Sequence, residues 1–166
     1  TVSTACFVPK PHTAFQWEPQ ISMEEYQRRV KLLRDHMRGR SIRYNWHDSQ
    51  TSFLEAVFAR GDRKVAEVIE TAWRSGSKFD AWSEGFDFDR WLEAFSACGV
   101  DPAFYANRVR DKDERFPWDV TSVGVSRQFL WRERERAYAA STTPDCRTQC
   151  SGCGANHFCP GGKCDA

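Results

Sequence analysis

Five of the seven cysteines of this 166-residue chain lie within its last twenty-one residues. Their spacing is C-x3-C-x2-C-x5-C-x4-C, in a segment that is rich in glycine and poor in large apolar residues. Such a segment has little hydrophobic core of its own and needs a cross-link. Thiolates that are two or three residues apart can converge on one metal centre. The five cysteines are Cys146, Cys150, Cys153, Cys159 and Cys164.

The spacing predicts a metal site with Cys146, Cys150, Cys153 and Cys159 as its ligands. Either Cys164 or His157 could replace Cys159 as the fourth ligand. Four thiolates fit a tetrahedral Zn²⁺ site or a [4Fe–4S] cluster, and the spacing alone does not distinguish the two. Disulfides or free thiols are the remaining interpretation, although an odd number of cysteines fits a purely disulfide framework poorly.

Charge and hydropathy give little support for a nucleic-acid or membrane partner. The net charge of +1 gives no global reason to expect nucleic acid or an anionic membrane. No apolar run approaches the ~20 residues that span a bilayer, and the N-terminus lacks the apolar region of a signal peptide. We therefore expect a cytoplasmic protein. In that reducing compartment, clustered cysteines bind metal more often than they form disulfides. The chain begins without Met in a β-like run, which predicts a fragment of a longer protein whose missing part holds the main active site.

The residue pattern predicts a mainly α-helical chain with a short β element. Residues 2–8 are predicted as a strand that stops at Pro9, and 41–46 as a second strand. Ser22, followed by Glu25, is a capping-box pattern that starts a helix running towards Gly39. Further helices are predicted at 52–59, from Asp62 to Gly76, from Asp87 or Asp89 to Gly99, from Asp101 onwards, and after Ser126. In the helix that starts at Asp62, the predicted buried stripe is Val65, Val68, Ile69, Ala72 and Trp73.

Other polar residues have both a functional and an ordinary interpretation. His12 and His47, which precedes Asp48, could serve as a ligand or an acid–base group, but a hydrogen-bonded loop histidine is the more frequent case. An anion site is conceivable at Arg60, Arg63 and Lys64, although a solvated basic turn is favoured. We expect the two isolated cysteines, Cys6 and Cys98, to be buried as small hydrophobic residues.

Several long segments resemble a known family. VSTACFVPKPHTAFQW resembles the last barrel strand of radical S-adenosylmethionine (SAM) enzymes, with Phe7, Pro9, Pro11, Thr13 and Phe15 in the matching positions. The segments WHD (46–48), SFLEAVFARGDRKVAEVIETAW (52–73), FDAWSE (79–84), FDRWLEAF (88–95), DPAFYANR (101–108), PWDVTSVGVSRQFLWRE (117–133) and TPDCRTQCSGC (143–153) follow. Together they are similar to the C-terminal region of a cobalamin-binding-domain radical-SAM family of poorly defined substrate.

The resemblance implies an architecture and a function. Residues 1–40 would be the end of the radical-SAM (β/α) barrel, namely its last strand and helix, 41–140 a helical C-terminal extension, and 141–166 a Cys-rich metal-binding tail. The catalytic C-x3-C-x2-C loop of such enzymes lies early in the barrel. The tail would therefore hold an auxiliary [4Fe–4S] cluster, while the full-length protein would use SAM and cobalamin on an unknown substrate. Lys10 and His12 would line the barrel mouth, where barrel active sites lie.

A different class of function uses the same tail. A helical module with a zinc knuckle would bind RNA or a protein partner, with no radical chemistry. The basic and aromatic residues available for this are few: Arg147, His157, Phe158 and Lys163.

Overall fold

The computed structural model describes residues 1–39 and 41–158, and it is mainly helical with a short β element, as the sequence predicts. The described part of the chain contains two strands, six α-helices and two 3₁₀ turns, joined by loops. In order they are β1 (Val2–Thr4), α1 (Met23–His36), β2 (Tyr44–Trp46), α2 (Ser49–Arg60), α3 (Lys64–Arg74), α4 (Phe88–Ala97), α5 (Pro102–Ala106), a 3₁₀ turn (Pro117–Val120), α6 (Arg127–Tyr138) and a second 3₁₀ turn (Ala155–Phe158).

The two strands pair in parallel, with Val2 opposite Tyr44 and Thr4 opposite Trp46. Helix α1 lies between them in the chain, so β1, α1 and β2 form a β-α-β crossover, the usual way of joining parallel neighbours. Both strands are shorter than the sequence pattern predicts. Strand β1 ends well before Pro9, and β2 includes only the second half of the predicted run 41–46.

Local capping sets the start of most helices. The hydroxyl of Ser22 accepts from the backbone N–H of Glu25 at 3.2 Å, as the capping pattern predicts. The Glu25 carboxylate does not complete a capping box, because it binds Arg28 and Arg29 on the next turn. Helix α2 begins at Ser49, before the predicted start at 52, because the Asp48 carboxylate accepts from the third amide of the helix at 2.8 Å.

The residues form two compact units, and the first comprises Thr1–Val8 and Pro19–Val109. Its main core is formed by α2, α3, α4 and α5. On α3 the buried stripe is narrower than predicted: Ile69 and Trp73 are 46% and 57% exposed, so their assignment to the core was wrong. The buried residues of this core are Phe53, Leu54, Ala56, Val57, Val65, Val68, Ala72, Phe88, Trp91, Ala94, Phe95, Tyr105 and Ala106.

The second unit comprises Pro9–Glu18 and Arg110–Ala166, of which the structure describes residues up to 158. Its core is aromatic and is centred on Trp17, which is completely buried. The Trp17 ring meets Trp131 edge to face with 5.0 Å between centroids, and it lies 6.0 Å from Phe116. Trp118 and Leu130 complete this core, so a short N-terminal segment is held among side chains more than ninety residues away.

None of the helices within 1–39 and 41–158 is both long and apolar enough to cross a membrane.

Candidate functional site

The cysteine segment begins with a turn that is organised by Asp145. The Asp145 carbonyl accepts from the amides of Thr148 and Gln149 at 2.9 and 3.1 Å. Its carboxylate binds the Arg147 guanidinium at 2.8 Å, which lowers the pKa of that carboxyl. Because the turn closes on its own backbone, it leaves Cys146 exposed at the surface.

Cys153 is held more firmly than the cysteines before it. Its carbonyl accepts from the amide of Ser126, the N-cap of α6, at 2.7 Å. The backbone also turns sharply here, since Gly154 has a φ of +99°, and a Cβ at that position would lie 2.9 Å from the Gly124 carbonyl oxygen. Only glycine fits this close approach without displacing backbone. The half-buried Cys153 is therefore anchored to the start of α6.

A backbone N–H points at the Cys153 sulfur. The amide of Ala155 donates to Cys153 Sγ at 3.4 Å. N–H donors of this kind stabilise the negative charge of a thiolate and are part of the environment of metal-bound sulfur. The left-handed turn at Gly154 therefore brings Cys153 together with a donor suited to a thiolate ligand.

Three of the four predicted metal ligands lie in the described part of the chain. Cys146 and Cys150 are exposed, Cys153 is half-buried, and all three are free thiols. Among residues 1–39 and 41–158, no group of three or more His, Cys, Asp or Glu side chains is arranged so that it could hold a metal ion. The fourth predicted ligand, Cys159, lies outside the described residues, as does Cys164. The donor chemistry of the three described thiols fits zinc or an iron–sulfur cluster, and binding would require their sulfurs to converge.

His12 has an unusual backbone conformation, with a φ of +57°. Its amide donates to Gln16 Oε1 at 3.0 Å, and its Nε2 lies 3.1 Å from the hydroxyl of Thr121. A non-glycine residue in the left-handed region is uncommon and needs support from its surroundings. Lys10, the other residue predicted to line a barrel mouth, is exposed.

The structure does not pair His47 with Asp48 as an acid–base couple. The Asp48 carboxylate caps α2, where it accepts from both the amide and the hydroxyl of Thr51. The backbone of His47 accepts from the Tyr26 hydroxyl at 3.0 Å, while its side chain is exposed. His47 therefore contributes a backbone hydrogen bond, and Asp48 is a helix cap that the sequence interpretation did not predict.

The anion site considered at Arg60, Arg63 and Lys64 is wrong for Arg60, and the solvated basic turn that was favoured over it holds for Arg63 and Lys64 only. Arg60 is completely buried, and its Nη1 donates to the Ala106 carbonyl at 3.1 Å. The guanidinium is therefore part of the packing between α2 and α5 and is not presented to a ligand. Only Arg63 and Lys64 remain on the surface.

Of the two isolated cysteines, Cys6 is buried as expected, whereas Cys98 is only half-buried. Cys6 is 9% exposed and belongs to a small core with Tyr26 and Val30. Burial raises the pKa of its thiol, which therefore stays protonated. Cys98 is partly buried against the main core, and its sulfur lies 3.4 Å from the hydroxyl of Thr71.

The sequence interpretation missed Gln16 altogether. This side chain is 3% exposed and lies with His12 at a cleft whose other wall is formed by residues 119–130. No local pattern marks it, because its buried partner, the Trp118 indole, is about a hundred residues away. The strained His12 is the one feature of this cleft that the sequence had indicated.

Comparison of the chain with protein-family models, with curated proteins and with solved structures finds no match. Membership of a radical-SAM family and the identity of a cofactor therefore stay predictions.

Proposed function

We propose that this chain is the C-terminal part of a cobalamin-binding-type radical-SAM enzyme and that its tail binds an auxiliary [4Fe–4S] cluster. The ligands would be Cys146, Cys150, Cys153 and Cys159. The observation that carries the metal proposal is the environment of Cys153: an anchored backbone, a glycine-dependent turn and an N–H donor on its sulfur.

The short parallel sheet supports placing residues 1–40 at the end of a barrel. Parallel strands normally lie in larger sheets with both faces covered, and a two-stranded sheet is marginal by itself. Here Val2 and Trp46 are 39% and 43% exposed on such a pair. Further strands and helices of a longer chain would cover these side chains and extend the ladder.

The residues of this chain would bind and position the cluster. The cysteines would bind the cluster, the Ala155 N–H would stabilise charge on the Cys153 sulfur, and the start of α6 would position the segment. When bound, an iron–sulfur cluster supplies one-electron transfer. SAM and cobalamin would be bound by the remainder of the enzyme, and its substrate is not specified by these residues. We therefore expect that the chain alone, reconstituted with iron and sulfide and reduced, forms no 5′-deoxyadenosine from SAM.

A zinc knuckle that binds RNA is the alternative, and the same thiols could serve it. The described basic residue of the tail, Arg147, is already paired with Asp145 in a bidentate ion pair, which reduces its value for phosphate binding. The electrostatics of the described segment therefore favour the cluster over RNA recognition.

The deciding experiment is anaerobic purification of the whole chain, followed by assays of iron, zinc and acid-labile sulfide on one sample. Near-equal iron and sulfide, lost together in the Cys150→Ala/Cys153→Ala double variant, would support the proposal. Cys98→Ala is the matched control, since it removes a thiol outside the segment and should leave the metal content unchanged. Zinc without sulfide would instead indicate the knuckle, and a metal-free protein would contradict both.

A further inference from the structure

A second candidate site lies in the second unit, in a cleft of about 300 Å³. One wall carries His12 and Gln16, and the other is formed by residues that follow the first 3₁₀ turn and start α6. A cleft of this size is at the lower end of small-ligand sites. The described residues that line the second wall include Asp119, Thr121, Val123, Val125, Arg127 and Leu130.

Gln16 presents a fixed donor to this cleft. Its Oε1 accepts from the His12 amide at 3.0 Å and from the Trp118 indole at 2.9 Å. Because both partners are donors, they determine which end of the amide is the oxygen. The Nε2 group must then point the other way, and it donates to none of the described residues. A side chain that is 97% buried and lines the cleft thus keeps an N–H₂ group that has no partner among the described residues.

The neighbouring Thr121 hydroxyl and His12 imidazole form a hydrogen bond with each other. Thr121 donates its single hydroxyl hydrogen to the Trp118 carbonyl at 2.9 Å, so it must accept from His12 Nε2 at 3.1 Å. The Nε2 hydrogen of His12 is therefore used within the protein. Gln16 remains as the buried donor that a ligand would meet.

The charged pair beside the cleft does not favour an anionic ligand. Arg127 is engaged by Asp119 Oδ2 at 3.0 Å and by the carbonyls of Lys112 and Glu114, and its guanidinium lies 4.4 Å from the Phe116 ring centre. Its charge is thus matched inside the unit. The second carboxylate oxygen of Asp119 accepts no hydrogen bond from the described residues, so the cleft also offers an acceptor.

We propose that the cleft binds a small uncharged amide or lactam. Its carbonyl would accept from Gln16 Nε2, its N–H would donate to Asp119 Oδ1, and its hydrocarbon part would pack against Val125 and Leu130. Paired donor and acceptor groups beside an apolar wall select a ligand that carries both functions on one side and hydrocarbon on the other. None of these residues is a cysteine, so the site stands independently of the proposed cluster.

The test is a titration of the ¹⁵N-labelled whole chain with benzamide, followed by NMR at the Gln16 side-chain amide and the backbone of 119–130. Benzoate and N,N-dimethylbenzamide are the comparison probes, since the first replaces the amide with a charged carboxylate and the second removes its N–H. Saturable shifts confined to the cleft are expected with benzamide. At least about tenfold weaker binding is expected with benzoate, whose negative charge would meet the Asp119 carboxylate, and with N,N-dimethylbenzamide, which has no N–H to donate to that carboxylate.

Gln16→Glu is the informative variant. A glutamate can still accept from the His12 amide and the Trp118 indole, but it replaces the donor facing the cleft with a carboxylate oxygen. Benzamide binding should fall at least about tenfold, while the Trp118 indole resonance stays in its hydrogen-bonded position. Gln128→Glu makes the same change at an exposed position of α6 and should bind normally.

Val123→Trp provides a second test if Gln16→Glu fails to fold. Val123 is 46% exposed, so a larger side chain there can occupy the cleft without entering the core. It should abolish the benzamide shifts. The proposal is overturned if benzamide gives no saturable shift, if its shifts map elsewhere, if benzoate binds equally well, or if neither variant weakens binding. Because the titration needs no metal, its result is separate from that of the iron and sulfide assays.

Discussion

Removing the Trp17 side chain should destabilise the second unit more than any other single truncation within its core. Trp17 is completely buried and contacts Phe116 and Trp131, so Trp17→Ala leaves a large cavity. Burial of up to about 250 Å² at about 25 cal/mol per Å² gives about 6 kcal/mol as an upper bound. The Trp17 indole N–H has no hydrogen-bond partner among residues 1–39 and 41–158, and its removal returns about 1–3 kcal/mol. The expected loss of unfolding free energy is therefore about 3–5 kcal/mol, the usual range for such truncations.

Trp17→Phe shows how much of the lost stability is recovered when a smaller aromatic ring without the indole N–H fills the site. It keeps an aromatic ring in the core and removes the unpartnered N–H, so it should cost about 2 kcal/mol less than alanine. Trp82→Ala is the control, because this tryptophan is 68% exposed, and it should change stability by less than about 0.5 kcal/mol.

Urea unfolding followed by circular dichroism gives the free energies, and hydrogen exchange identifies the element that loosens. Amides of α6 should lose protection in Trp17→Ala, because Leu130 and Trp131 on that helix pack with Trp17. Unchanged protection of α6, or equal stability of the alanine and phenylalanine variants, would refute the assignment of Trp17 as the centre of this core.

Three further predictions concern local chemistry. Ser126→Ala removes the side-chain acceptor at the start of α6 and should cost about 1 kcal/mol in urea unfolding, whereas Ser126→Asp keeps an acceptor and should cost less; equal losses would contradict the cap. Hydrogen bonds from Arg28 and Arg29 lower the pKa of Glu25 from 4.5 to about 2, so its ion pairs stabilise the fold above pH 4.5 and are lost as pH falls towards 2. Glu25→Gln should make the melting temperature less dependent on pH over that window, and an unchanged pH dependence would count against this linkage. In the metal-free chain, iodoacetamide should alkylate the exposed Cys150 well before Cys6, whose burial raises its thiol pKa; peptide mapping that finds equal rates would contradict the burial of Cys6.

Local signals in the sequence predicted the helix starts well. Ser22, Asp87, Asp101 and Ser126 each accept from an amide two or three residues ahead, as their positions before apolar patterns indicate. Capping is decided by atoms within one turn, so the sequence alone carries it. Asp48 shows the limit, because its neighbour His47 drew attention to acid–base chemistry while the carboxylate was simply a cap.

Burial was predicted less reliably than helix position. On α3 the apolar residues Ile69 and Trp73 continue the helical stripe, yet they are exposed because α4 covers only the part of that face that contains Val65, Val68 and Ala72. Arg60 shows the reverse case, since a charged residue expected at the surface is enclosed beside α5. How wide a helix face becomes buried depends on the neighbouring element, which periodicity does not specify.

The sequence by itself determined the mainly helical class, the helix caps and the cysteine spacing that makes the tail a candidate metal site. These features depend on residue type and on neighbours a few positions away. Only the tertiary structure brought Gln16 and His12 against 118–130 and placed Cys153 on the start of α6. Those contacts join segments far apart in the chain, and their geometry follows from how the aromatic core around Trp17 packs, which no local pattern encodes.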